Sequence, residues 1–138
     1  MGQAYRRKET CVFLINHHMV WCPKRRRRIL VGTMKERLEQ IIRETAPELE
    51  SEVLALEVMP DHIHLFLSAT PQWAPNQLVG RIKGKSARLL RQEFPVLLRM
   101  PSLWTRSFFC STTFFPSSLC SFPFIPVSYL CRNYHGRA

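Results

Sequence analysis

The chain has 138 residues, 46% of them hydrophobic and 22% charged, a composition that predicts a single folded domain with its own core. Its formal net charge of +10 favours a nucleic acid as partner over an anionic membrane surface. We expect no membrane-spanning helix and no secretory signal, because no apolar run has the required length or flanks. The five cysteines show no CxxC spacing, so we expect free thiols and a cytoplasmic protein.

The first predicted elements are a strand and a helix, separated by a basic run. Residues 11–21 are rich in β-forming side chains and predict a strand that ends before Pro23. Apolar residues then recur at helical spacing as far as Pro47, and Thr33 is the predicted N-cap of that helix. Its predicted buried stripe consists of Met34, Leu38, Ile41 and Ile42.

The next elements are a hairpin, a second helix and a final strand. Residues 52–59 and 62–68 predict two strands joined by a tight Pro60-Asp61 turn, with strict alternation along the first of them. Residues from about 75 to 94 predict a helix, and residues 103–111 a fourth strand. The predicted buried stripe of the second helix is Leu78, Ile82, Leu89 and Leu90.

The order strand, helix, strand, strand, helix, strand predicts an α+β fold. It is the ferredoxin-like β-α-β-β-α-β pattern, an antiparallel sheet with both helices packed on one face.

The most specific chemical feature is the pair His62 and His64 in the third predicted strand. Alternate residues of a strand point to the same face, so the two imidazoles lie side by side while Ile63 faces the other way. Two neutral imidazoles at this spacing are candidate ligands for one divalent metal ion that activates a phosphodiester. The alternative is a pair of exposed strand histidines without a ligand. For His17 and His18, on opposite faces of the first strand, we expect core or edge positions.

Basic residues form the second candidate site, a surface for the nucleic-acid backbone. One part is the run of five basic residues, and the other lies on the second helix, where the alternative is an ordinary solvated face. These candidates are Lys24, Arg25, Arg26, Arg27 and Arg28, then Arg81, Lys83, Lys85 and Arg88. Three tryptophans could stack on bases but more often serve packing: Trp21, Trp73 and Trp104.

Four stretches together resemble a known family, the small single-tyrosine HUH transposases that include the REP-associated tyrosine transposases. VMPDHIHLFLS resembles the family's HUH motif, and HHMVWCPKRRRRIL its first strand and basic exit. QLVGRIKGKSARLLRQEFP is similar to its second helix, and SLWTRSFFCST to its late strand. The resemblance covers about residues 5–112, so we expect a transposase-like domain over residues 1–112.

The resemblance implies a fold close to the one predicted from the pattern of elements. It further implies a homodimer that binds hairpin or single-stranded DNA at the ends of an insertion element. A Mg²⁺ or Mn²⁺ ion would be held by His62 and His64. In such enzymes a tyrosine attacks a DNA phosphate, forms a covalent 5′-phosphotyrosine and leaves a free 3′-hydroxyl, and the strand is rejoined later.

The tail, residues 113–138, departs from the family pattern. The family has a helix there that carries the nucleophilic tyrosine and, one turn later, a polar metal ligand. Here Tyr129 and Tyr134 are the candidate nucleophiles, but neither is followed by Gln, and Asn133 is a substitute ligand for Tyr129. The tail has no acidic residue and no lysine, and prolines interrupt it. Our hypothesis is that it is a frameshifted reading of the gene.

Two other functions remain open beside the transposase. One is a DNA-binding module that grips single-stranded or hairpin DNA without cutting it. The other is a metal-dependent phosphodiesterase that uses water as its nucleophile.

Overall fold

The computed structural model describes residues 4–112 of the chain. The elements of this part are β1 (Arg6–Lys8), β2 (Cys11–Phe13), β3 (Ile15–Trp21), α1 (Gly32–Glu48), β4 (Glu52–Met59), β5 (His62–Ala69), α2 (Pro75–Glu93) and β6 (Phe109–Thr112). Short 3-10 helices, Lys24–Arg26 and Pro95–Arg99, follow β3 and α2. No helix in this part is long and apolar enough to cross a membrane.

The main sheet has the strand order β4-β5-β3-β6, and every neighbouring pair is antiparallel. This is the order of the ferredoxin-like pattern, so the predicted α+β fold is confirmed. Ile63, Leu65 and Leu67 of β5 are fully buried in one cluster with side chains of both helices. The alternate residues of β5, including both motif histidines, therefore lie on the face of the sheet away from that core.

The predicted strand over residues 11–21 is two strands. β2 pairs with β1 in a separate two-stranded sheet, whereas β3 pairs with β5 and β6. Arg6 ties this hairpin to the rest of the domain by donating hydrogen bonds to the backbone carbonyls of Ser68, at 3.1 Å, and Glu50, at 3.0 Å. Residue periodicity predicts an extended backbone but does not distinguish two pairing partners.

Both helices lie where the apolar pattern predicts them. The predicted N-cap is wrong, because α1 begins at Gly32 after Val31, and Thr33 lies inside the helix. Gly32 has a φ of 58°, a left-handed conformation that glycine adopts without cost, and this explains the start of the helix. In α2, Val79 and Ser86 are buried in addition to the predicted residues, while Leu89 is only half-buried against the core.

A β-bulge between Val53 and Ala55 breaks the predicted alternation of β4. Val53 precedes the bulge and Leu56 and Val58 follow it, yet all three pack on the core. The extra residue shifts the phase of the strand, which brings residues of odd and even number to the same face.

The predicted strand over residues 103–111 is wrong in its first half. Trp104 forms one isolated bridge with Pro23, and regular pairing with β3 starts only at Phe109. Fewer residues separate Val20 from Pro23 than separate Phe109 from Trp104, so the ladder is interrupted between these two pairings. In the same interval the Lys83 amine of α2 donates hydrogen bonds to the backbone carbonyls of Thr105 and Ser107.

Candidate functional site

The candidate site is centred on His62 and His64 of β5. Their ring centroids lie 4.9 Å apart with an interplanar angle of 80°, and both side chains are half-buried. Ile63 is fully buried on the opposite side of the sheet. This placement matches the sequence prediction, because regular strand geometry fixes the face of each residue.

His62 is oriented by its sequence neighbour Asp61. Its Nδ1 lies 2.7 Å from the Asp61 Oδ1, and the other carboxylate oxygen lies 3.1 Å from the Nε of Arg26. A carboxylate only accepts hydrogen bonds, so the proton of the neutral ring sits on Nδ1 and the lone pair on Nε2. A carboxylate behind a histidine ring is a common support for a metal ligand.

His64 is contacted by His18 of the adjacent strand β3. The His18 Nε2 lies 3.1 Å from the His64 Nδ1, and the ring centroids are 5.4 Å apart. His18 also stacks on Phe66, with ring centroids 4.3 Å apart and nearly parallel planes. His18 is buried on the face of the motif histidines, whereas His17 is buried on the face that carries the core.

The environment lowers the pKa of both contacting histidines. Burial and, secondly, the charge of His64 lower the pKa of His18 from 6.5 to about 4, so His18 is neutral near pH 7. Burial also lowers the pKa of His64, and the charge of His62 adds to this effect. For Asp61, burial raises the pKa, but the hydrogen bond and charge of His62 and the charge of Arg26 outweigh it, and the net pKa is lowered.

The candidate metal donors within residues 4–112 are the imidazoles of His62 and His64. No group of three or more His, Cys, Asp or Glu side chains with metal-ligand geometry exists in that part of the chain. A pair of imidazoles occupies only part of a metal ion's coordination sphere, which suits an ion that also binds substrate oxygens.

The basic run lies beside this pair. Arg25 and Arg26 both adopt left-handed backbone conformations, with φ of 59° and 55°. This turn brings Arg26 to Asp61, while Arg25, Arg27 and Arg28 are exposed and Lys24 is half-buried. Positive charge thus adjoins the histidines at the end of the sheet where β4 turns into β5.

On α2 the structure separates the basic residues into two groups. Arg81, Lys85 and Arg88 line one cleft between the helices, together with Trp73. The Arg81 guanidinium lies 5.1 Å from the centroid of the Trp73 ring, and the Lys85 amine pairs with Glu48 at 2.5 Å. This cleft belongs to the helical layer and not to the face that carries the histidine pair.

Lys83 lies outside that cleft and faces the segment before β6. Its amine donates to the carbonyl of Thr105 at 2.5 Å and to that of Ser107 at 3.2 Å. Three residues later, the buried Ser86 hydroxyl accepts a hydrogen bond from the Trp104 indole at 3.0 Å. The KGKS element thus joins α2 to the last strand. Trp21 and Trp104 are buried and in edge-to-face contact, so neither presents a surface for bases.

The candidate nucleophiles Tyr129 and Tyr134, and Asn133, lie outside the described residues, as does the whole of the tail. The site residues that sequence reasoning missed are His18, which we assigned to a core or edge position, and Asp61, which we assigned only to a turn. The position of Asp61 directly before His62 was a usable signal for its role. For His18 no such signal existed, because its contact depends on the register of β3 against β5.

Comparisons with known proteins agree with this arrangement. Residues 11–115 match the family model described as "Transposase IS200 like". The ISDra2 transposase TnpA of Deinococcus radiodurans is 42% identical over 100 residues, which cover 70% of this chain and 71% of that protein. The transposase of the insertion sequence element IS200 from Salmonella typhimurium is 29% identical over 99 residues, covering 70% of this chain and 65% of that protein.

Two solved structures share the fold. A crystal structure of a candidate transposase from Deinococcus radiodurans superposes with a TM-score of 0.74 at 35% identity, covering 78% of this chain and 85% of that one. A REP-associated tyrosine transposase bound to a REP hairpin superposes with a TM-score of 0.56 at 16% identity, covering 83% of this chain and 64% of that one.

Proposed function

Because the chain belongs to the IS200-like family of transposases, which act in DNA transposition of mobile elements, we propose that it cleaves and rejoins single-stranded DNA at hairpin-bearing element ends. The observation that carries the proposal is the His62–His64 pair on the face of the sheet away from the helices, with a basic run beside it. Metal-binding imidazoles next to a polycationic segment suit a phosphodiester substrate.

We propose His62 and His64 as the ligands of a Mg²⁺ or Mn²⁺ ion, since transposases of this family are generally metal dependent. The donor chemistry fits, because imidazole nitrogens are common metal ligands and the Nδ1 of each ring lies against a protein neighbour. When bound, such an ion supplies a Lewis acid that polarises the scissile phosphate. The residues of the chain hold the two rings and bring the phosphate backbone close through Lys24–Arg28.

The covalent step we propose is attack by a tyrosine oxygen on the phosphorus atom. The bond to the 3′-oxygen breaks, the 3′-hydroxyl leaves, and the 5′-phosphate stays on the tyrosine. A second 3′-hydroxyl then attacks this phosphotyrosine, which reforms the DNA bond and releases the tyrosine, so no external energy is required. Tyr129 and Tyr134 are the candidates for this role, and the partner DNA is a hairpin or a single strand.

We also propose a homodimer, as the family resemblance implies. Hairpin recognition finds support in the REP-hairpin complex of the fold neighbour. Static light scattering with and without a hairpin oligonucleotide tests the oligomeric state, and a monomer under both conditions would reject the dimer.

The second candidate function is a DNA-binding module without cleavage activity. It is favoured by the tail, in which neither tyrosine is followed by the glutamine expected one turn later. If the tail is a frameshifted reading, as we propose, the chain retains the histidine and basic surfaces and lacks the family's nucleophile. Sequencing the gene across codons 100–138 and translating all frames tests this: another frame that encodes Tyr with Gln one turn later supports the frameshift.

One experiment separates the candidate functions. A labelled hairpin oligonucleotide is titrated with the full chain, with and without Mn²⁺, and the products are run on a denaturing gel. Metal-dependent cleavage with a band of protein-linked DNA supports the transposase reaction. Cleavage without such a band indicates attack by water, and salt-sensitive binding without cleavage indicates the binding module.

A further inference from the structure

We propose that His18 is a positioning residue for His64: it accepts a hydrogen bond from the His64 Nδ1 and so presents the His64 Nε2 as the ligating atom. The part that concerns a metal ion rests on the function proposed above. The contact between the two rings is given by the geometry of β3 and β5, and the direction of the hydrogen bond is the part that we propose.

His18 is held firmly enough to position another ring. Its imidazole is only 1% exposed and stacks on Phe66 at an interplanar angle of 3°. Phe109 of β6 contacts it edge-on, with ring centroids 6.0 Å apart. Packing from two neighbouring strands restricts its rotamers, so the 3.1 Å contact between His18 Nε2 and His64 Nδ1 helps to orient the His64 ring.

The contact between His18 and His64 allows two arrangements of the hydrogen bond, which differ in which ring donates. A neutral ring has one N–H donor and one acceptor nitrogen, and a single proton lies between two contacting nitrogens. If His64 donates, its lone pair is on Nε2. If His18 donates instead, the His64 proton sits on Nε2, and that atom cannot ligate.

For His62, the contact with Asp61 fixes the position of the ring proton. The carboxylate can only accept, which places the proton of His62 on Nδ1. His18 would give His64 the equivalent support with a neutral group. In a position that is almost fully buried, a neutral acceptor costs less desolvation free energy than a second carboxylate. The two motif histidines would then both ligate through Nε2, each fixed from behind by a different kind of residue.

Long-range ¹H–¹⁵N correlation spectra of the metal-free full chain test the first part, because they report which ring nitrogen of His64 carries the proton. We expect the proton on Nδ1 in the unchanged chain and a mixture of both forms in His18→Phe, which keeps the stacking but removes the acceptor. A proton on Nε2 in the unchanged chain would overturn the inference, even if the variant does not fold.

Manganese affinity, measured by calorimetry or electron paramagnetic resonance, tests the second part. We expect His18→Phe to weaken Mn²⁺ binding about 10- to 100-fold, the usual effect of removing a residue that orients a metal ligand. His18→Gln keeps an acceptor oxygen and should bind close to the unchanged chain. His17→Phe is the matched control, because it makes the same change one residue away on the core face, and it should also leave the affinity unchanged.

The outcomes distinguish this inference from the proposed function. If His62→Ala abolishes Mn²⁺ binding and His18→Phe leaves it intact, the metal site stands and the role of His18 is refuted. If neither the unchanged chain nor His62→Ala binds Mn²⁺, the proposed metal site fails, and the proton position on His64 still decides the inference. Equal weakening in His18→Phe and His17→Phe would indicate a general packing effect and would also reject it.

Discussion

At the scale of single residues, the two motif histidines are supported in different ways. His62 contacts the charged carboxylate of Asp61, which is itself paired with Arg26, whereas His64 contacts the buried neutral imidazole of His18. The charge next to His62 therefore depends on Arg26 of the basic run, whereas the environment of His64 depends on the packing of β3 against β5.

The first prediction concerns His64→Ala. Loss of one of the two proposed histidine ligands should abolish Mn²⁺-dependent DNA cleavage, while binding of a hairpin oligonucleotide remains largely intact because phosphate contacts supply most of that affinity. A cleavage gel and a fluorescence-anisotropy titration measure the two properties side by side. His17→Ala serves as the control and should leave both unchanged. Parallel loss of cleavage and binding would show that His64 is needed for structure and not as a ligand.

The residue scale also shows where sequence reasoning ends. The shared face of His62 and His64 follows from a period of two within one strand, and local sequence is sufficient for it. The contact of His18 with His64 requires that β3 lies beside β5 in one register, and a single sequence contains no such information.

At the scale of elements, side-chain hydrogen bonds connect α2 to the segment before β6. Lys83 and Ser86 of α2 contact Thr105, Ser107 and Trp104, so the KGKS element fixes the last strand rather than offering all its charge to a partner. These contacts lie in the interval where regular pairing with β3 is interrupted. The hydrophobic pattern predicts an extended segment there, but it predicts neither the contacts with α2 nor the residue at which the ladder begins.

The second prediction concerns the buried hydrogen bond between Trp104 and Ser86. Ser86→Ala leaves the indole N–H without its acceptor and should lower the free energy of unfolding by about 1–3 kcal/mol. In the double variant with Trp104→Phe, the total destabilisation should be smaller than the sum of the separate effects, because both partners of one bond are gone. Urea unfolding measures all four chains. Ser102→Ala, at a half-buried hydroxyl with only a 3.4 Å contact, is the control and should have little effect.

The third prediction is a pH dependence caused by Lys83. Burial lowers its pKa from 10.5 to about 8, so the folded chain releases this proton at lower pH than the unfolded chain does. Between pH 8 and pH 10.5 the unfolded chain binds more protons than the folded chain, so the contribution of Lys83 to the free energy of unfolding rises with pH. That contribution is lost again as the pH falls toward 8. The unfolding free energy of Lys83→Met should therefore rise less steeply over this window than that of the unchanged chain. Identical slopes in both chains would contradict the lowered pKa.

The strands and helices themselves were predictable to different degrees. Amphipathic periodicity located α1 and α2, because each buries one stripe against the sheet. The bulge in β4 was not predictable, since Leu54 continues an alternating pattern in the sequence and only its pairing with β5 reveals the extra residue. The start of α1 was misplaced because a left-handed glycine, and not the hydroxyl of Thr33, sets it.

At the scale of the whole molecule, the candidate DNA-binding residues within residues 4–112 lie on separate surfaces. The exposed arginines of the basic run adjoin the histidine pair, whereas Arg81, Lys85 and Arg88 line the cleft between the helices. A nucleic acid that reached both surfaces would have to pass around the domain.

The fourth prediction concerns the salt dependence of DNA binding. Replacing Arg25, Arg27 and Arg28 together by Gln should flatten the plot of log affinity against log salt concentration by about 0.7–0.9 for each phosphate that is no longer neutralised. The control replaces three exposed basic residues elsewhere, Lys35, Arg43 and Arg99, and removes the same formal charge. An equal change of slope in both triple variants would show that net charge acts without a localised contact at the basic run.

The left-handed backbone conformation of Arg25 and Arg26, after β3, affects which substitutions a selection for thermal stability would favour. An L-residue other than glycine in this conformation costs about 1–2 kcal/mol, and Arg25 and Arg26 both adopt it. A screen for thermal tolerance alone should therefore enrich glycine or asparagine at these positions. A substitution at Arg26 would raise the melting temperature but remove the ion pair to Asp61, whereas one at Arg25 would leave that pair in place, so heat resistance and support of His62 are expected to oppose each other at Arg26.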